Sequence, residues 1–519
     1  MATQRLDQET TTRKSIADRT LHDTEATPLI SGDVPAESSI LNGHANLVSL
    51  CALLALVVNI GTILTTIPTI QIIEHIVCHD MSPDLSSFSQ SSSDPRCKEL
   101  DVQGELAEIR GWSNAIAILP SLLVSIPYGI LADRFGRRPV LRLSVLGISL
   151  MLIQQMIILA WPNAIPVKFI VSSGLFLLVG GGPSMLIAML MTMLADTLPV
   201  SQHTTVFSYI SGISLIAQIF VTPLAAFFMS FDPWIPMWLG SGLIIIGNLL
   251  ALLFPETKSS DQRSGERTTD SVTQEEEEEE SNLLLVVPLL HQTLCKHICN
   301  TIAHESSHIW LSILCNRAIL PLLLGFVMTQ MISYTTDEML LQYSTKRFDW
   351  KWETATYIST AGSLTTLASL CLLPYLTKNV NPPRLYFTPP THEIFFMLCL
   401  STVMMLGHLF LALSSKPWLL ILGLALSSMG EALSLLCRAM LNSLVDAQFI
   451  ALLNTAIATM EQLATLVSAP LFSYLLRSGF ELGGAWISLP YFLSAATAGI
   501  IVALTLIHRV PRNKGEREV

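Results

Sequence analysis

Three features of this sequence predict an all-α multi-pass membrane protein with twelve spans in two sets of six. Of its 519 residues, 51% are hydrophobic and only 13% charged, against about 25% charged in soluble domains; the mean hydropathy is +0.53. Apolar runs long enough to cross the hydrocarbon layer, which takes roughly 20 helical residues, recur near 46–74, 108–131, 139–160, 166–194, 205–230, 233–254, 318–342, 353–376, 393–413, 417–440, 450–476 and 485–507. A long polar interval separates the sixth run from the seventh.

Residues 1–45 are polar, contain no signal peptide and read as a disordered cytoplasmic tail. Within them Glu25-Ala-Thr-Pro-Leu29-Ile30 has the form of an acidic dileucine sorting signal. Sorting adaptors read such signals and direct cargo to a vacuole or endosome; the pattern also arises by chance, and a plasma-membrane address is the leading alternative. The first six runs occupy 46–254. In the loop after the first stand Cys78 and Cys97, which can form a disulfide if that loop faces an oxidising space, or else remain two free thiols.

The interval 255–316 begins with Ser, Thr and an acidic run, Glu275 to Glu280, and continues from Leu283 with helical alternation suited to a membrane surface. Six of the acids behind the net charge of -11 are in that run, and nothing suggests nucleic-acid binding. The last six runs fill 317–508, and 509–519 form a second tail.

Orientation follows from basic residues at the span ends. One side holds Arg5, Arg13, Lys14, Arg19, Arg134, Arg137, Arg138, Arg142, Lys258, Arg317, Lys378, Arg384, Arg509, Arg512, Lys514 and Arg517; the other has chiefly Arg96, Lys98, Lys346, Arg347, Lys351 and Lys416. Both termini are therefore expected in the cytoplasm.

Between runs 2 and 3 the sequence reads Gly129-Ile-Leu-Ala-Asp133-Arg134-Phe-Gly136-Arg137-Arg138-Pro139. A basic, glycine-punctuated turn suits a short cytoplasmic hinge between closely packed helices. It resembles the loop between helices 2 and 3 of the major facilitator superfamily (MFS), with every fixed position of G-x-L-a-D-r-x-G-r-r filled. The resemblance implies two six-helix halves rocking about a central cavity, a small-molecule substrate and a monomer. It also implies a latch at the cytoplasmic side built from Asp133, the arginines and, after helix 4, Asp196. In the family an Arg follows that Asp about seven residues later; here His203 stands there, giving a weaker or pH-sensitive latch, or a plain loop residue. Glu105-Leu-Ala-Glu-Ile-Arg110-Gly-Trp112, Ile126-Pro-Tyr-Gly129, Leu340-Leu-Gln-Tyr343-Ser-Thr-Lys346-Arg347-Phe348 and Gly483-Gly-Ala-Trp486-Ile are similar to a fungal branch near the proton-coupled folate and haem-carrier transporters.

Ionisable groups at membrane depth are functional candidates. Glu431 and Glu461 fall near the middle of helices 10 and 11, and Arg438 lies two turns from Glu431 on nearly the same face. A chain of Glu431, Arg438 and Glu461 could carry a proton or form a permanent salt bridge. The resemblance places helices 1, 4, 7 and 10 around the cavity, which makes Asn59, Gln330 and Glu431 substrate contacts. Gln218 is a further midplane candidate, whereas Gln154 and Gln155 suit ties between helices. Gly180 to Pro183 interrupt helix 4, for a site or for packing. Glu74, Asp337 and Glu338 are expected near water at the outer ends of helices 1 and 7, with an outer-gate role as the alternative.

His304-Glu305-Ser-Ser-His308 fits the H-E-x-x-H zinc pattern, near His291, Cys295, His297 and Cys299. A metalloprotease would also need a third ligand and a substrate cleft, so an amphipathic segment is expected rather than an enzyme or a metal cofactor, with adventitious or regulatory metal binding as the alternative. No glycine-rich phosphate loop is present, so ATP does not drive the protein. An ion gradient, most simply protons, is the expected energy source. The helix 5 motif G-x-x-x-G-P-x-x-G-G of drug:proton antiporters is also absent. Export of a secondary metabolite or toxic compound is the expected role, with nutrient or cofactor uptake, or a transport-incompetent sensor, as alternatives.

Overall fold

The computed structural model describes residues 36–81, 95–198, 200–254, 319–379, 392–444 and 450–507. The dileucine pattern, the acidic run and the zinc-like pattern lie outside them. Residues 36–46 are helical and belong to a unit separate from Leu47–Val519, the body described below.

Each of the twelve apolar runs carries a helix. These are α1 (Ala36–Met81), α2 (Leu100–Phe135), α3 (Arg137–Ala160), α4 (a 3-10 piece, Val167–Leu178, then Gly182–Thr197), α5 (Val200–Met229) and α6 (Trp234–Leu252). There follow α7 (Ile319–Tyr334, a π turn over Thr335–Met339, then Leu340–Phe348), α8 (Trp352–Asn379) and α9 (His392–Ala412). Last come α10 (Pro417–Gly430 and Ala432–Ser443), α11 (Ile450–Leu482) and α12 (Leu489–Ile507). The architecture is all-α, with the helices in two sets of six.

Among the described residues, ten helices are long and apolar enough to cross a membrane, and α2 makes an eleventh if its two pieces, Leu100–Ser125 and Pro127–Phe135, count as one span. That bend has a cause in Pro127, which cannot donate the helical hydrogen bond. The twelfth, α11, is not among them. It carries Glu461 and Thr465, which face an internal cavity rather than lipid.

Apolar cores fill each set of six. In the first, Leu54, Val58, Leu141, Val145, Ile148, Met189, Leu190 and Ile244 cluster around α1, α3, α4 and α6. In the last, Leu322, Phe326, Met404, Leu433, Cys437, Leu453 and Ile501 do the same. The sets meet where α2 packs on α11 and α5 on α8, with Ala107, Ala115, Tyr334, Met339, Phe472, Leu476 and Phe480 in the α2–α7–α11 seam.

The break in α4 is a packing device. Gly180, Gly181 and Gly182 all have positive φ, and the Gly180 and Gly181 carbonyls accept the hydroxyls of Ser144 (2.6 Å) and Ser121 (3.0 Å) from α3 and α2. A Cβ on Gly180 would strike the Leu143 carbonyl carbon and the Ser144 amide nitrogen. Gly180→Ala therefore combines a left-handed backbone, which costs about 1–2 kcal/mol for an L side chain, with a backbone clash. It is expected to lower the apparent melting temperature in detergent and the yield of monodisperse protein. Gly242→Ala, where a Cβ meets nothing within 4 Å, should leave both unchanged.

Candidate functional site

At the end of the bundle where α1 leaves for α2, a polar network joins the two sets of helices. Cys78 near the end of α1 is disulfide-bonded to Cys97 in the 3-10 turn Pro95–Lys98. One residue on, Lys98 Nζ reaches Glu74 Oε1 at 2.5 Å, one turn before Cys78. Glu74 is only 3% exposed. It also accepts the Gln103 amide from α2 and, on Oε2, the Trp352 indole N–H from α8 at 2.5 Å. Both oxygens of this buried carboxylate are thereby engaged, by one cation and two neutral donors, the condition under which a buried charge is tolerated. Lys98 lies 5.1 Å from the Trp352 ring centroid, and its carbonyl accepts the Lys346 ammonium from α7.

One layer deeper, Gln342 of α7 donates to the Gln103 carbonyl (2.8 Å). Buried Arg110 of α2 donates to the Glu338 carbonyl (2.6 Å) and to its Oε2 (3.1 Å). Asn114, a turn further along α2, donates to Glu338 Oε2 (3.2 Å) and the Tyr334 hydroxyl (3.1 Å). At the rim Arg477 of α11 pairs with Glu108. Glu74 and Glu338, for which the sequence allows solvation or an outer gate, are the centres of a seal between the sets. Sequence reading passed over Arg110 and Asn114 as well, although a lone Arg in the apolar stretch of α2 was the available signal.

Directly beneath the seal lies a cavity of about 380 Å³ lined by Asn114, Ala117, Ile118, Gln330, Ser333, Tyr334, Asp337, Glu338, Glu461 and Thr465. Gln330 and Glu461, both candidates from the sequence, are among the lining residues. Asp337, expected at the outer end of α7, stands in the cavity wall instead. Two helix irregularities are found on these elements: Asp337 belongs to the π turn Thr335–Met339 of α7, and α10 breaks at Glu431 between its two pieces. Glu431 accepts the Thr366 hydroxyl of α8 at 2.9 Å and interacts through space with Asp337.

The anticipated chain of three is split. Arg438 Nη2 pairs with Glu461 Oε2 at 3.2 Å and lies over the Phe326 ring, while Glu431 turns to α8. Asn59 is half-buried in α1 and Gln218 exposed on α5; neither lines this cavity. Gln154 and Gln155 donate to Ser172 (2.8 Å) and Ser173 (3.1 Å), tying α3 to α4.

At the opposite end, Gly136 joins α2 to α3 with φ 100, a conformation that favours glycine. Gly129 is different: a Cβ there would meet nothing within 4 Å, so close helix packing does not explain it. Arg137 pairs with Asp196 at the end of α4 (2.8 Å). Arg138 and Arg142 donate to the Leu252 carbonyl (3.2 and 2.8 Å), placing cations at the C-terminus of α6. Asp133 and Arg134 are exposed, and His203 lies within helix α5 rather than a loop.

Two sets of helices meeting over a midplane cavity is a transporter plan, and residues 101–389, more than half of the chain, match the family model described as Major Facilitator Superfamily. The chain belongs to that family. It is similar to the MFS efflux pump atnC of Emericella nidulans, 27% identical over 504 residues and covering 93% of both chains. The efflux pump ustT of Aspergillus flavus is 26% identical over 86% of this chain and 85% of its own. Among solved structures, a D-xylose-proton symporter superposes with a TM-score of 0.55 over 92% of this chain and 99% of its own at 14% identity. A bacterial homologue of the iron transporter ferroportin, in an inward-facing state, superposes at 0.56 over 89% and 98%, also at 14%. These structural likenesses concern the fold. The protein is a membrane transporter of fungal MFS type, not an enzyme.

Proposed function

We propose that this transporter exports a small organic molecule, a secondary metabolite or toxic compound, in exchange for protons. Its termini are cytoplasmic, it works as a monomer, and the plasma membrane is its site. The cavity under a polar seal carries this reading: its volume suits a small molecule, and carboxylates stand at membrane depth where a proton can be taken up and released. The relatives named as efflux pumps favour outward transport, and the basic residues around Arg134 to Arg142 favour a cytoplasmic position for that end.

With that orientation the seal of Glu74, Arg110 and Glu338 closes the outside, and substrate enters from the cytoplasm. The halves, 46–254 and 317–508, rock about the cavity, and 255–316 links them. Opening outward breaks the Arg110–Glu338 layer. The latch around Asp133, Arg137 and Asp196 then closes the inner side. Glu431 and Asp337 repel each other when both are charged; a proton on either relieves that repulsion and lets the α7 and α10 breaks approach. The exchange is thus carried by the carboxylate pair, with Glu461 held by Arg438 and Gln330 contacting substrate.

The test is purified protein in vesicles with a pH-sensitive dye inside and a metabolite library outside. Proton-coupled exchange is expected to make the lumen more alkaline as substrate enters, and Glu431→Gln to reduce that signal to the level of empty vesicles. Tracer entry without any pH change in the unaltered protein would replace exchange by facilitated diffusion, with Glu431 a structural acceptor for Thr366.

A further inference from the structure

The cavity walls are one-sided in charge. Asp337, Glu338 and Glu461 line it, and no Lys, Arg or His among the described residues does. Two of these carboxylates are committed: Glu338 to Arg110 at 3.1 Å and Glu461 to Arg438 at 3.2 Å. Among the described residues no basic side chain pairs with Asp337, and the charged groups acting on it are Glu338 and Glu431, both acidic.

The presentation of Asp337 is built from behind, independently of those charges. In the π turn, the Thr336 hydroxyl meets Nε2 of buried His408 from α9 (3.3 Å), whose Nδ1 meets the Met404 carbonyl (3.0 Å). With Nδ1–H donating to that carbonyl, Nε2 accepts the Thr336 hydroxyl proton. From α12, Ser494 meets the Thr335 hydroxyl (3.2 Å) and Tyr491 donates to the Thr335 carbonyl (3.3 Å). Irregular turns of this kind occur largely at functional sites, because a regular helix would be cheaper. Here the irregularity, pinned by α9 and α12, directs an acid into open space.

We propose that the substrate is an organic cation, a protonated amine on an apolar or aromatic body, whose ammonium group docks on Asp337. The inference rests on reading this cavity as the substrate site. Ala117, Ile118 and the Tyr334 ring, backed by Phe472 at 6.5 Å, receive the apolar body, and the Gln330 and Ser333 side chains offer hydrogen bonds to its polar edges. The Tyr334 ring is held by the Asn114 amide on its hydroxyl. An anionic substrate would face three wall carboxylates with both nearby arginines already engaged.

The experiment uses full-length protein carrying Ser333→Cys or, separately, Thr465→Cys. Each is treated with a trimethylammonium-bearing and with a sulfonate-bearing methanethiosulfonate of similar size. Reaction at the introduced cysteine is read by mass spectrometry and normalised to each reagent's rate with a small free thiol. The cationic reagent is expected to be favoured about tenfold. That preference should fall to within about twofold when Asp337→Asn is added, and persist when Glu481→Gln, on the surface outside the cavity, is added instead. Library compounds that protect the cysteine should be amines. Equal rates, an anionic preference, a preference that survives Asp337→Asn, or protection mainly by carboxylates would overturn the proposal. So would unreactive cysteines at both positions in monodisperse protein. No transport or proton movement is needed, so exchange can fail while the cation preference stands, and the reverse.

Discussion

Glu74→Ala is expected to be among the most damaging single substitutions in this protein. The carboxylate gathers Lys98, Gln103 and Trp352, donors from the 3-10 turn, α2 and α8. Its removal leaves the Lys98 ammonium, only 13% exposed, without its partner and strands a buried indole N–H. Breaking a buried ion pair from one side costs about 3–5 kcal/mol, and an orphaned neutral donor about 1–3 kcal/mol. The measurement is the rate of irreversible thermal inactivation in detergent, the relevant quantity for a large membrane protein, which should rise more than tenfold. Glu74→Gln keeps one acceptor oxygen and should fall between. Adding Lys98→Met to Glu74→Ala should recover part of the loss, because the uncompensated cation goes with it. Inactivation at the unaltered rate in Glu74→Ala would show that the apolar packing of Ile73, Ile76, Leu106 and Ile109 holds this end without the charge.

What the sequence made legible is set by range. Apolar runs of about 20 residues announce helices through local composition alone, and all twelve are present. The turn from Gly129 to Pro139 is likewise local, whereas its partner Asp196 lies at the far end of the next helix pair, α3 and α4. The seal was not legible in this way. Arg110 and Glu338 are separated by 228 residues and Glu74 and Trp352 by 278, so no periodicity records that they meet.

Local irregularities were not legible either. Asp337 sits in a π turn, Thr335–Met339, and lines the cavity, and no residue pattern announces such a turn. The hydrogen-bond partner of Glu431 is Thr366 of α8 rather than Arg438, a contact across 65 residues that spacing along one helix does not record. Asn59 and Gln218 do not line this cavity, for another reason. A polar residue in a span signals that some hydrogen-bonding neighbour exists, not that the neighbour is a cavity.

Arg110→Ala is expected to unseal the end that Glu74 stabilises, by a separable route. The guanidinium is 6% exposed and bridges α2 to both the backbone and the side chain of Glu338, so in the proposed rocking cycle it favours the arrangement in which α2 and α7 are joined. A group that favours one of two states shifts their ratio by its differential interaction. Because Glu338 is one-third open to the cavity, the loss belongs below the buried-pair range, at about 2 kcal/mol, enough for more than a tenfold change in the closed fraction.

Cysteines introduced by Gln103→Cys and Gln342→Cys, whose native side chains touch across the seal, report that fraction through the yield of a short bifunctional thiol crosslinker. The yield should fall at least severalfold in Arg110→Ala. Arg110→Lys should fall between, since one ammonium cannot reproduce the planar fork that serves carbonyl and carboxylate together. Exchanging the charges, Arg110→Glu with Glu338→Arg, should restore the ion pair but not the bond to the Glu338 carbonyl, and so recover only part of the yield. Full recovery would mean that charge alone holds this layer. No fall in Arg110→Ala would assign closure to the α2–α11 packing of Ala107, Ala115, Phe472 and Leu476, leaving Arg110 as the counter-charge that lets Glu338 stand in the cavity wall.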